Sequence, residues 1–101
     1  MAEVISPQLL KVLTDVTGEV KLENALRIVA QDAIDHRLEH IAKQIQALEQ
    51  KYGTPFTQFD THFQRGEISC QHSYDVEQDY LEWEGLLCRQ RRLQEAQDWF
   101  H

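Results

Sequence analysis

The string HRLEH, residues 36 to 40, has the H-x-x-E-H order that one class of zinc peptidases uses to set two metal ligands and a catalytic glutamate on a single helix. Such an enzyme also needs a third protein ligand, a substrate cleft and walls that exclude water. A chain of 101 residues has room for one small domain with a modest core. A second set, His72, Asp75, Asp79 and Glu82, follows helical spacing and formally makes a carboxylate metal site. It lacks facing ligands unless a second copy supplies them. With no Ser/His/Asp order and no Gly-rich phosphate loop, the chain reads as a non-enzyme without metal or cofactor.

The elements that position these residues are written in local signals. Ser6 and Pro7 read as N-cap and first helical position, Leu9, Leu10, Val12, Leu13 and Val16 as an apolar stripe, and Gly18 as a stop, giving a short N-terminal helix within 1–18. From 22 to 52 there is no Gly or Pro, and Ala, Leu, Glu, Gln and Arg dominate, which predicts one helix roughly 45 Å long. Gly53 ends it. Thr54 as N-cap and Pro55 as first residue predict a short hinge helix over 54–65, with Phe56, Phe59 and Phe63 on one stripe, and Gly66 stops it. EISCQH is a connector, and Ser73 caps a last helix over 73–99 whose inner face is lined by Val76, Tyr80, Trp83, Leu87, Leu93 and Phe100.

The long helix carries Ile34, Leu38, Ile41, Ile45 and Leu48 in strict alternation of four and three. That seam needs the last helix, a second copy, or both; the expectation is an oligomer seam in a homodimer. The same seam disposes of HRLEH. With Leu38 facing inward, His36 and His40 fall on the solvated side with Glu39 and Lys43, where Asp32 extends the row but no buried site forms.

Charge and cysteine usage narrow the function classes. A net charge of -7, spread over both halves, argues against direct nucleic-acid binding and for a basic partner. No apolar run approaches the roughly 20 residues that span a bilayer, and MAEVISPQLL lacks the basic-then-apolar order of a signal peptide, so a cytoplasmic protein without membrane contact is expected. Cys70 and Cys88 stand apart and read as reduced thiols.

The most unusual window is YDVEQDYLEWE, residues 74 to 84: five carboxylates, three aromatic rings and no basic residue before Arg89. One reading is a helix start balanced by RQRR at 89–92, with the aromatics in the core. The functional reading is a partner-binding face of Tyr74, Asp75, Asp79, Tyr80, Glu82, Trp83 and Glu84. In it Asp75, Asp79 and Glu82 imitate a run of phosphates and Tyr80 and Trp83 anchor a neighbour.

These residues carry a resemblance. KYGTPFTQFDTHFQRGEI followed by HSYDVEQDYLEWEGLL resembles small helical prokaryotic proteins found beside nuclease-type toxins and regarded as candidate antitoxins. The shared elements are Lys51, Tyr52 and Gly53, then Phe56, Phe59 and Phe63, then Asp79, Tyr80, Glu82, Trp83 and Glu84, within roughly residues 20–90. The resemblance implies a partner, not a reaction: a basic toxin ribonuclease inhibited by occlusion. It does not extend to DNA binding, since the N-terminus shows no basic ribbon or helix-turn-helix.

The expectation is therefore a single all-α domain over 1–101, a dimeric helical bundle with a long central helix, acting as an antitoxin. The alternatives are a homo-oligomeric helical scaffold without inhibitory activity and a small metal-binding protein.

Overall fold

Ser6 opens the first helix as a true cap, its Oγ accepting from the Leu9 amide at 3.2 Å, with Pro7 in the first turn. The computed structural model describes residues 5–100, so residues 1–4 of the expected N-terminal element lie outside the described ones. Four helices follow: α1 (Pro7–Thr17), α2 (Leu22–Tyr52), α3 (Phe56–Gln64) and α4 (Tyr74–Trp99). Among the described residues there is no strand, and no helix is long and apolar enough to cross a membrane.

Glycine closes α1 and α2 as the sequence predicts. Gly18 and Gly53 take left-handed φ of 71° and 68°, and each donates its amide back to the helix, to the carbonyls of Thr14 and Glu49. A side chain would strain that geometry. The start of α3 differs from expectation. Pro55, at φ -69° and ψ 161°, is extended and forms the N-cap itself; Thr54 makes no cap bond to the backbone and instead donates to Gln58 Oε1 at 2.7 Å. Ser73 caps α4, accepting from the Val76 amide at 3.3 Å, and Asp75 and Glu77 sit favourably in its first turn.

α4 runs back along α2, antiparallel. Asp79 meets Lys51 at one end, and at the other Gln97 donates to Asp35 at 2.8 Å. The buried cluster is Ile41, Ile45 and Leu48 of α2, Phe59 of α3, and Trp83 and Leu86 of α4. Three of the five residues assigned to an oligomer seam are thus buried inside one chain, while Ile34 and Leu38 are half-buried. The cover that this stripe needs thus comes in part from α4 of the same chain, one of the two partners expected for it. At 26 residues, about 39 Å, α4 is long enough to cover most of it.

α3 lies across the end of this hairpin and plugs it. Phe59 is fully buried, with ring centroids 4.4 Å from Tyr52 and 5.2 Å from Trp83, while Phe56 meets Trp83 edge-on at 5.3 Å. The connector after α3 is fastened too: Gln71 Nε2 donates to the Phe63 carbonyl at 2.8 Å, and Ile68 packs on the core. Only α1, packed on the far end of α2, contributes no buried residue. The result is a rod of 57 × 28 × 22 Å with a radius of gyration of 19.6 Å, against about 13 Å for a compact chain of this length. A rod leaves much of each helix facing outward.

Candidate functional site

The face proposed from the sequence divides in two. Asp79, Tyr80 and Trp83 point toward the chain's own interior, whereas Tyr74, Asp75, Glu82 and Glu84 are exposed on the outside of α4.

Asp79 is 17% exposed and accepts from Lys51 Nζ and from the Tyr52 hydroxyl at 2.6 Å. Burial alone would raise its pKa. The hydrogen bonds from Lys51 and Tyr52, with the Lys51 charge, outweigh burial and hold the carboxyl below its ordinary value. Reciprocally, the bond to Asp79 raises the Lys51 ammonium, and burial together with the same carboxylate raises the Tyr52 phenol. The cation missing from the sequence of α4 comes from the last turn of α2. Asp79 is therefore not free to imitate a phosphate.

Tyr80 stacks on Phe63 at 4.3 Å and donates its hydroxyl to Asp60 Oδ1 at 2.6 Å, while Gln64 donates to it at 3.2 Å. The bond to Asp60, then burial, raises its pKa. Trp83 has 0% of its surface exposed. Its Nε1 is buried without an acceptor among the described residues. Both aromatics belong to the inner face of α4, as their spacing with Val76 and Leu87 indicates, so neither can be a surface anchor.

What remains outside is a set of exposed carboxylates distributed over the two flanks of α4. Asp75, Glu82 and Glu84 form no ion pair among the described residues, and Glu77 faces only His72, at 3.9 Å. Tyr74, 75% exposed, and Leu81, 59% exposed, supply apolar area beside them. Leu81 was missed because an isolated leucine in a helix reads as core; only the rotational phase fixed by Trp83 and Leu86 turns it outward.

The metal sets fare differently from the acidic face. Asp79 is committed to Lys51 and Tyr52 and His72 to the neighbourhood of Glu77, so the second set does not converge. His36 and His40 line a shallow hollow of about 330 Å³ together with Arg37 and Arg89, whose positive charges oppose a cation there. No cluster of three or more His, Cys, Asp or Glu side chains is arranged to hold a metal ion among the described residues.

The fold and this surface define the class: an all-α hairpin plugged by a Phe-rich helix, presenting an acidic, partly apolar face. No protein-family model, curated protein or solved structure matches the chain.

Proposed function

We propose that the protein is an antitoxin-like inhibitor that acts in the cytoplasm and neutralises a basic toxin ribonuclease by occlusion, through the outer face of α4. The observation that carries this reading is that Asp75, Glu82 and Glu84 form no ion pair among the described residues and are exposed near Tyr74 and Leu81. Carboxylates on both flanks of the exposed side of α4 suit a surface built to hold phosphates, and Tyr74 and Leu81 between the flanks provide contact area that charge alone does not. The resemblance of residues 20–90 to candidate antitoxins supports the choice of partner.

The test is co-expression with a small basic ribonuclease encoded beside this chain. Wild type should rescue growth, and an Asp75→Lys, Glu82→Lys, Glu84→Lys variant of unchanged helical content should not. Equal rescue by both would remove the acidic face from the mechanism.

A further inference from the structure

The outer face of α4 carries a pattern that its own chain does not use. Its run of carboxylates ends at Glu84 and its arginines begin at Arg89, ahead of Glu95 and Asp98, and Arg89, Arg91 and Arg92 make no ion pair among the described residues. Along the line opposite Trp83 lie Tyr74, Leu81, Gly85, Cys88 and Arg92, all exposed. A Cβ on Gly85 would meet nothing within 4 Å, so no contact inside the chain requires glycine there. Glycine within a helix is destabilising relative to alanine, and what it permits is close approach of another backbone.

We propose that two copies of this chain pair through the outer face of α4, antiparallel, about a two-fold axis between Gly85 and Cys88. Charge selects the direction, because a parallel pair would set carboxylates on carboxylates and arginines on arginines. A two-fold axis also carries each flank of the helix onto the same flank of its mate. The setting that brings Glu82 of one copy to Arg89 of the second therefore brings Glu84 to Arg91 on the other flank. In that register Leu81 lies along the aliphatic stem of Arg92, and Gly85 faces Cys88. At the rims Glu77 approaches Asp98, where solvent screens the repulsion. With glycine at the crossing the axes can close to about 8 Å, the short end of helix packing, which brings the two Cys88 residues within reach of a disulfide.

This pairing is independent of the toxin reading. Because both use Glu82 and Glu84, a second copy and a basic partner exclude one another on this face. The test therefore uses the purified protein alone.

In the Cys70→Ser chain, Cys88 is the single thiol. Diamide takes up two electrons and two protons as two thiols become one disulfide, and at low salt it should convert the chain to a covalent dimer. Gly85→Leu, which keeps the helix but separates the axes, should abolish that product. In sedimentation, Glu82→Lys with Glu84→Lys, and separately Arg89→Glu with Arg91→Glu, should each self-associate more than about tenfold more weakly than the parent. An equimolar mixture of the two should dimerise again, since each like-charge contact that the substitutions create becomes a pair of opposite sign. A wild type that is monomeric at all concentrations, a cross-link indifferent to Gly85→Leu, or a mixture of helical variants that stays monomeric would each overturn the proposal.

Discussion

Tyr52 at the end of α2 donates its hydroxyl to Asp79 of α4 at 2.6 Å, 27 residues along the chain. With Lys51 on the same carboxylate, this contact clamps the two long helices at the end where α3 is inserted. Buried cores resist separation over their whole length, but this polar clamp acts at one register only, so it fixes how far α4 slides along α2.

Removing the clamp should cost stability in proportion to its burial. Asp79→Asn is expected to lose about 1.5 kcal/mol and Tyr52→Phe about 1 kcal/mol, read by urea unfolding. A double mutant should lose less than the sum, because each change breaks the same bond.

The clamp also sets a pH dependence. The folded Asp79 carboxyl titrates below its ordinary value of 3.8, so its contribution is complete above that value and is lost as pH falls through the lower, folded value. Asp79→Asn should therefore flatten the acid limb of a stability profile below about pH 4 and leave its shape near neutrality unchanged. An acid limb identical in both proteins would mean that the clamp does not form.

Trp83 now belongs to the core, and its substitution should behave accordingly. Trp83→Ala should destabilise by about 3–5 kcal/mol through the cavity it leaves. Trp83→Phe forfeits no hydrogen bond, since Nε1 has no acceptor among the described residues, and should cost clearly less. Thermal melts of the two variants give the comparison; a near-neutral alanine would place the ring outside.

How far these relationships could be read in advance depends on their range along the chain. Ser6, Gly18, Gly53 and Ser73 act on neighbours within a turn, so the helix boundaries were legible, and α3 was displaced only because Pro55 took the cap expected of Thr54. The seam from Ile34 to Leu48 was legible as a stripe in need of cover. Nothing in a periodic pattern distinguishes cover by α4 from cover by a second copy. Likewise five carboxylates without an intrahelical cation are visible in sequence, but that Asp79 alone finds Lys51 depends on how two distant helices pack. Tyr80 and Trp83 satisfied two patterns at once, an inner stripe and an aromatic anchor, and only the phase of the folded helix separates them.

Since Ile41, Ile45 and Leu48 are buried within the chain, their mutants should report on folding. Ile45→Ala is expected to lose about 2–4 kcal/mol, and by the same amount in the Glu82→Lys, Glu84→Lys background, where pairing through α4 is disrupted. Chemical unfolding at several protein concentrations decides this. A loss that grows as the protein is diluted would give the seam an intermolecular role.

The division of the acidic window into a clamp and a free face leads to the prediction that best separates fold from function. Asp79→Lys places a cation against Lys51 in a site only 17% exposed for the native side chain, so it should loosen the α2–α4 contact and lower the melting temperature. Glu82→Lys and Glu84→Lys replace exposed groups that form no ion pair among the described residues, and Asp75→Lys loses a favourable charge in the first turn, so each should cost at most about 1 kcal/mol, less than Asp79→Lys. Their effect on a basic partner should be large, because like charges across an interface oppose both encounter and docking. Binding of that partner by the wild type should weaken as salt rises, since exposed charges are screened over about 8 Å at physiological ionic strength. Circular dichroism melts and binding curves at two salt concentrations, run on the same four single variants, measure both axes. If Asp79→Lys proves as stable as the other three, or if those three bind the partner like wild type, the clamp and the free face have been assigned the wrong way round.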